Sequence, residues 1–318
     1  MTRKKISVCI PVFNEAESLP TAITVVESLF AEELAGYELE LVVTDNASVD
    51  QTWAVTMDCA ASRPHLRAYR FSRNFGYQNS VFAGICLATG DAVVELDADL
   101  EDPPPVIAEF VRQWENGADV VYGVRKKRHA SLLMRFLFRV FYKVIQKVSA
   151  LDIPENSGDF RLLDRKVVNV LKQLPERNLY LRGLIPYLGF RQQAVYYDRQ
   201  PRIAGKSKFR LIHYVTLAID GITAVSKTPL RAIGVLGFTL FIASILLGSY
   251  YLGGALLNRV PVQGFTTIVV LMLMLHGLTF IFVGVIGEYL SRIFDDSKHR
   301  PRVIIAESVN ADPGPNTL

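Results

Sequence analysis

Residues 93–104 read Val93-Val94-Glu95-Leu96-Asp97-Ala98-Asp99-Leu100-Glu101-Asp102-Pro103-Pro104. The stretch begins as a buried strand and runs directly into an acid, a small residue and a second acid. Two carboxylates at i and i+2, just past an apolar strand, meet in one turn. Such a pair is costly unless something cationic joins it. A divalent metal carrying a diphosphate would satisfy it, because Mg²⁺ takes one or two carboxylates together with phosphate oxygens.

Working outward, apolar strands and helical patterns alternate. Strands are predicted at residues 6–12, 39–43, 66–71, 92–96 and 120–122. Helices are predicted at 15–34, 78–88, and from Pro103-Pro104 to the stop at Gly117. Alternation of this kind implies a mainly parallel α/β sheet. Ligands in such sheets bind beyond the carboxyl ends of the strands. Asp45, Asp97 and Asp99 all follow strands, so they are expected to converge.

The pattern then changes. Over residues 130–149, Arg135, Arg139, Lys143 and Lys147 recur every fourth position among apolar neighbours, one stripe on a helix. A core helix with a solvated basic edge would read this way. The preceding Lys126-Lys127-Arg128-His129 favours an amphipathic helix at a membrane interface. Residues 211–225 read as another mostly apolar helix. Two long apolar runs follow, 230–257 and 265–290, each longer than the roughly 20 residues that cross a bilayer. The link of residues 258–264 is short, so a two-helix transmembrane hairpin is expected; two buried core helices are the water-soluble alternative. Cations flank the hairpin on its outer side, which puts both termini and the first domain of a multi-pass protein in the cytoplasm. Residues after about Val303 read as a flexible tail.

Composition agrees with this division. The chain has 318 residues, of which 50% are hydrophobic, and a net charge of +4. That excess of apolar residues sits mostly after Leu230. So mild a charge does not call for nucleic acid, and basic residues beside apolar runs point to anionic lipid. Three cysteines without C-x-x-C spacing make neither a disulfide framework nor a zinc site. Cys9 and Cys86 lie in apolar segments and read as core residues in a reducing compartment. No signal peptide is read at the N-terminus.

Four segments line up: Pro11-Val12-Phe13-Asn14-Glu15, Asp45-Asn46-Ala47-Ser48-Val49-Asp50-Gln51-Thr52 and Asp97-Ala98-Asp99-Leu100-Glu101-Asp102-Pro103-Pro104 follow predicted strands, and Asn156-Ser157-Gly158-Asp159-Phe160-Arg161-Leu162-Leu163 comes after the basic helix. With Ser72-Arg73-Asn74-Phe75-Gly76 and Arg199-Gln200-Pro201-Arg202-Ile203-Ala204-Gly205-Lys206-Ser207-Lys208, they resemble the family 2 glycosyltransferases of GT-A fold. Within these the sequence is most similar to the polyprenyl-phosphate glycosyltransferases, which include dolichyl-phosphate mannose synthases and bacterial undecaprenyl-phosphate sugar transferases. The likeness covers nearly the whole chain.

The resemblance implies a GT-A (Rossmann-like) domain over 1–210 with an interfacial helix at about 130–149, a juxtamembrane helix at 211–229, a two-span hairpin at 230–292 and a cytoplasmic tail at 293–318, in a protein of the plasma (inner) membrane. It implies a nucleotide-diphosphate sugar as donor, UDP by default, and an undecaprenyl or dolichyl phosphate as acceptor. Inverting transfer would depend on Mg²⁺ or Mn²⁺. Pro11, Glu15 and Asp45 would hold the nucleoside; Asp45 could equally be a turn-forming Asx residue. Asp50 could instead cap the following helix. Asp97 and Asp99 would hold the metal and diphosphate, Asp99 acting in catalysis, with Glu101 completing the coordination or lying on the surface at a helix start. Asp159 would act at the acceptor as a base or orienting group, or else as a structural link to Arg161. Arg125, Arg199, Arg202, Ser207 and Lys208 would collar the two phosphates. A homo-oligomer is compatible with the hairpin. Asn46 and Ala47 depart from the commoner D-D-G-S pattern, which leaves base identity open. A polysaccharide synthase of the same fold, a membrane-anchored nucleotide-sugar-binding scaffold, and a channel are the rival readings. The first lacks its Q-x-x-R-W motif here, the second is opposed by the intact acids, and the third by the scarcity of charge inside the hairpin.

Overall fold

A computed structural model describes residues 3–126, 157–176, 179–201, 228–256, 264–311 and 317. The chain divides into two compact units, one formed by Met1–Gly221 with Arg300–Leu318, the other by Ile222–His299.

The first unit is built on one eight-stranded sheet. In chain order its described elements are β1 (Lys5–Val12), α1 (Leu19–Glu32), β2 (Glu38–Asp45), α2 (Thr52–Ala61), β3 (Leu66–Phe71), α3 (Tyr77–Leu87), β4 (Ala92–Glu95), α4 (Val106–Glu115), β5 (Val120–Arg125), β6 (Ser157–Asp164), α5 (Arg165–Leu171), α6 (Leu181–Tyr187), β7 (Gln192–Tyr197) and β8 (Ile305–Val309). The strand order is β7-β5-β6-β4-β1-β2-β3-β8. β1 pairs in parallel with β2 and β4, β2 with β3, and β5 with β7. β6 runs antiparallel between β4 and β5, and β8 antiparallel to β3. The sheet is therefore mixed but mainly parallel, as expected.

Both faces are covered, which is why the central strands are apolar along their whole length. Ile6, Val8, Ile10 and Val12 point to one face, with Leu41, Val43, Val94 and Leu96, and meet Leu19, Ile23 and Val26 of α1 and Phe110 of α4. Cys9, Val42 and Val93 point to the other, against Val81, Phe82 and Ile85 of α3. Cys9 and Cys86 are buried core residues, as read from their apolar settings.

Register fixes where the chemistry sits. Val12 pairs with Asp45, and Cys9 with Glu95, so β1, β2 and β4 end at one edge. Because β6 is antiparallel, with Glu95 opposite Arg161, its beginning rather than its end reaches that edge. β6 thus carries Asp159, two residues before Arg161, towards the edge where Asp97 follows Glu95.

Three strands depart from the expectations. β6 and β7 were not foreseen as strands. The predicted flexible tail after Val303 is corrected: residues 305–309 form β8, held by its ladder to β3, and Asn310 donates from Nδ2 to the carbonyls of Ala60, Arg63 and Leu66 at 2.9, 3.2 and 3.0 Å.

The second unit contains α7 (Thr228–Leu256) and α8 (Phe265–Ser297). Within α8, Met274–Ser297 is long and apolar enough to cross a membrane; Ala232–Leu246 is a shorter apolar stretch. Phe280, Met274 and Ile281 are exposed, a placement that suits lipid better than water. Residues 257–263, the expected interfacial helix at 130–149 and the expected juxtamembrane helix at 211–225 lie outside the described residues.

Candidate active site

Two loops leave the carboxyl ends of β1 and β2 and are tied together. Asn14 accepts from the Val49 amide through its side chain at 2.9 Å and donates its own amide to Ser48 Oγ at 2.9 Å. Glu15 donates its amide to Thr52 Oγ1 at 2.8 Å, while its carboxylate accepts from Ser18 Oγ at 2.7 Å. Asn14 and Ala47 both have left-handed backbones, φ 57° and 59°. Pro11 is buried in β1 beneath this turn, paired with Thr44.

Asp45 is fully buried. Its Oδ1 accepts from the Ser48 amide at 2.9 Å and from the Ser48 hydroxyl, so it does form an Asx-type turn. Among the described residues its Oδ2 accepts no hydrogen bond; Arg70 Nε stands 3.4 Å away at ion-pair range without hydrogen-bond geometry. The turn therefore uses one oxygen and leaves the other available. Asp50 accepts from the Thr52 amide at 3.0 Å; the N-cap position of α2 is Gln51, so Asp50 braces the helix start from one residue before the cap. Asn46 reaches across to the next loop, donating to Asn74 Oδ1 at 3.1 Å and accepting from the Phe75 amide at 2.9 Å. That bridge gives Asn46 a local use where the commoner pattern has an acid.

At the end of β4 the acids crowd. Tyr77 Oη donates to Asp97 Oδ1 at 2.9 Å and also lies 3.2 Å from Glu95 Oε1. Glu95 is 1% exposed, and among the described residues its Oε2 accepts no hydrogen bond. Burial, then Asp97 and Asp159, push the Glu95 carboxyl well above the usual range. Burial, then Asp99 and Asp102, push Asp97 up to about 7, against the opposing Tyr77 hydrogen bond. Among the described residues, the hydrogen-bond partner of Asp97 is that hydroxyl and not a cation. Asp99 accepts from the Glu101 amide at 3.1 Å.

Glu101 is turned towards Arg199, which donates to it through Nη2. Among the described residues no group of three or more His, Cys, Asp or Glu side chains gathers in a metal-binding arrangement, so Asp97, Asp99 and Glu101 do not form a three-carboxylate set. The donor chemistry still fits a hard divalent ion, since two carboxylates suffice when phosphate oxygens complete the shell. Glu95 and Asp97 are held above their ordinary range by burial and neighbouring acids, a shift that a bound cation would oppose.

Arg125, expected to meet a phosphate, is instead clamped on Asp102, with Nε at 3.2 Å and Nη2 at 2.9 Å from its two oxygens. Tyr197 Oη donates to the same carboxylate at 2.6 Å. Gly123 makes room for that ring: a Cβ there would lie 2.6 Å from Tyr197 Cε1. This triad closes the turn after Asp99 from below.

Asp159 is 5% exposed at the start of β6. Arg182 clamps it, Nε to Oδ1 at 3.1 Å and Nη2 to Oδ2 at 2.7 Å, with Arg161 Nη2 3.7 Å from Oδ1. Burial pushes the carboxyl up, but Arg182, Arg161 and a hydrogen bond from Gln78 outweigh it and hold Asp159 below its ordinary range. Gln78 in turn accepts from the Leu181 amide at 3.0 Å, so one side chain joins α3, α6 and Asp159. Both roles foreseen for Asp159, at the acceptor and in a link to Arg161, are compatible with this setting, but the carboxylate is poorly suited to take a proton.

The structure thus brings Asp97, Asp99, Asp102 and Asp159 to one edge of the sheet, with Pro11, Glu15 and Asp45 further along it. Arg202, Ser207 and Lys208 lie outside the described residues. Tyr77, Gln78, Arg182 and Tyr197 escaped the sequence reading. Asp102 was visible inside the quoted acidic run, but its partner 95 positions later in the chain was not.

Similarity to known proteins agrees with this chemistry. A match to glycosyl transferase family 2 spans residues 7–171. The bactoprenol glucosyl transferase of Shigella phage SfV is 41% identical over 304 residues, covering 95% of this chain and 98% of its own. An uncharacterized glycosyltransferase of Synechocystis is 38% identical over 309 residues, 95% of each chain. A third relative, the uncharacterized glycosyltransferase YkcC of Bacillus subtilis, is 35% identical over 95% of this chain and 93% of its own. With a family match over more than half its length and relatives alike from end to end, the chain belongs to glycosyl transferase family 2 and is a glycosyltransferase.

Proposed function

We propose that this glycosyltransferase moves a sugar from a nucleotide-diphosphate sugar to a polyprenyl phosphate at the cytoplasmic face of the plasma (inner) membrane, with a divalent metal and with inversion at the anomeric carbon. The observation that supports it most is the meeting, at one sheet edge, of the Asp97–Asp99 turn with Arg182 clamped on Asp159. The first suits a metal-bound diphosphate and the second an anionic acceptor. Relatives named bactoprenol glucosyl transferase point the same way and make UDP-glucose the first donor to test.

In this reading Pro11, Glu15 and Asp45 receive the nucleoside. Asp97 and Asp99 would hold Mg²⁺ or Mn²⁺, which when bound supplies Lewis acidity against charge on the departing nucleotide diphosphate. A phosphomonoester is already anionic at neutral pH, so its oxygen needs little help to attack. Asp159 then serves to aim Arg182, whose guanidinium suits a phosphate. Arg202 and Lys208 would add cations, and Ser207 a hydroxyl donor, to the same collar. The acceptor oxygen bonds to the anomeric carbon as the diphosphate leaves from the opposite side, a single displacement. The apolar helices keep this site near the bilayer, where the lipid tail of the acceptor resides.

The test is transfer of radiolabelled sugar from UDP-glucose, UDP-N-acetylglucosamine or GDP-mannose to undecaprenyl phosphate by membranes containing the full chain. A chelator-sensitive, organic-extractable product is expected from one donor. Absence of organic-phase label with every donor overturns the proposal.

A further inference from the structure

Asp45, Arg70 and Glu307 stand in one row across three adjacent strands. Asp45 of β2 is paired with Arg70 of β3, and Arg70 with Glu307 of β8. Directly opposed residues in a ladder share a face and touch. Here the middle residue is a cation between two carboxylates. Arg70 Nη1 donates to Glu307 Oε1 at 3.0 Å, while its Nε stays 3.4 Å from Asp45 Oδ2 without bonding it. Glu307 is itself fixed by the Trp53 indole, Nε1 to Oε2 at 3.0 Å, and the Arg70 guanidinium lies 5.8 Å from the Trp53 ring.

This arrangement has a consequence for Asp45. An arginine beside a lone buried carboxylate would close on it with two hydrogen bonds, as Arg182 does on Asp159. Arg70 does not: its Nη1 goes to Glu307, its Nη2 to the Ser48 carbonyl at 3.4 Å, and the Trp53 ring lies beside the guanidinium. The result is a buried oxygen that has an ion-pair neighbour but, among the described residues, accepts no hydrogen bond, an arrangement that a ligand donor would improve. We infer that Glu307, on the strand that follows α8 in the chain, is a positioning residue for donor recognition: with the Ser48 carbonyl it holds Arg70 off Asp45, so that Asp45 Oδ2 keeps its hydrogen-bonding capacity for an N–H or O–H of the bound nucleoside. The inference rests on the proposed nucleoside role of Asp45. Glu307 is half-exposed, so its ion pair contributes little to stability and its removal should register in binding.

The experiment is calorimetric titration of UDP and GDP into the full chain in detergent, with steady-state kinetics for both substrates, on wild type, Glu307→Ala and Glu307→Gln. Glu307→Ala is expected to weaken nucleotide binding and raise donor KM about tenfold, leaving acceptor KM, kcat and melting temperature within twofold or a degree or two. Glu307→Gln, which keeps an oxygen for Arg70, should recover part of the loss. Should Glu307→Ala fail to fold, Trp53→Phe, which removes the second anchor of Glu307, is expected to show the same donor-selective loss in smaller measure. Unchanged nucleotide affinity in the Glu307 variants, or equal losses for donor and acceptor, overturns the inference and leaves the proposed function standing. A wild-type chain that binds neither nucleotide overturns both.

Discussion

Arg182 lies edge-on to Asp159 in a two-point clamp, 3.1 Å from Oδ1 and 2.7 Å from Oδ2, and the carboxylate sits below its ordinary pKa range as burial is outweighed by the cations around it. A base needs a proton affinity near the working pH; this group has been moved the other way. The two side chains are better understood as one unit that presents a guanidinium to an anion.

From that follows the first prediction. Asp159→Asn and Arg182→Met should each lower kcat/KM for transfer about 100-fold, near 2.7 kcal/mol of barrier. The double variant should be little worse than either single one, because each removes the same unit. In Arg182→Met, Asp159 loses its strongest cationic partner, so its pKa rises and the acidic limb of the pH–rate profile moves to higher pH. Additive losses in the double variant, together with an unmoved acidic limb, would show that the two residues work separately.

Asp99→Asn provides the second. An amide keeps the shape of the turn but removes a charge from the site for the diphosphate and its counter-ion. Transfer should fall at least about 100-fold, about 2.7 kcal/mol, with the melting temperature held and more Mn²⁺ needed for half-maximal residual rate. Wild-type turnover in this variant would remove Asp99 from the metal assignment.

How much of this was legible beforehand depended on whether the signal was local. Asp97 and Asp99 could be read because an apolar strand and two acids follow each other without a break. β6 was hidden by its own chemistry: Asp159 and Arg161 are buried but interrupt the apolar pattern, and their cost is met by partners elsewhere in the chain. β7 begins with Gln192-Gln193 at the sheet edge, where burial is partial and alternation weak. β8 is five residues long, and its ladder partner lies more than 200 positions earlier. Arg182 sits on α6 with nothing beside it in sequence to suggest a carboxylate partner. Residue type marked the acids, but only the sheet register could show which cations they had been given.

Ala47 leads to the third prediction. Its φ of 59° lies in the left-handed region, where an alanine costs about 1–2 kcal/mol relative to a right-handed backbone. Glycine removes that strain but loses more entropy on folding, about 0.4–1 kcal/mol. Ala47→Gly should therefore stabilise the protein by about 0.5 kcal/mol, whereas Ala47→Val, β-branched at a positive φ, should destabilise it by about 1–2 kcal/mol. Thermal melts of the three proteins in detergent check the order; valine as stable as alanine would mean that the turn does not hold this conformation in solution.

The last prediction concerns the opposite end of the sheet and separates stability from catalysis. Glu40, buried in β2, accepts from the Ser7 hydroxyl, from the amide and hydroxyl of Thr89 at 2.8 Å each, and from Arg67 at 2.9 Å. Burial alone would raise its pKa, but these donors more than offset that and hold it below the usual glutamate range. A carboxyl depressed in the folded state stabilises the fold at pH values above its unfolded pKa, about 4.3, and that contribution fades as pH falls from there through the lower folded value. Glu40→Gln should thus cost about 2 kcal/mol at pH 7, the scale of charged hydrogen bonds lost in a buried network. The gap to wild type should shrink progressively below about pH 4.3. Denaturant melts of the full chain at neutral pH and at a series of acid pH values test it; a gap that stays constant across the series would mean that Glu40 is not ionised in the folded protein, and sugar transfer at neutral pH by the folded variant should match wild type throughout.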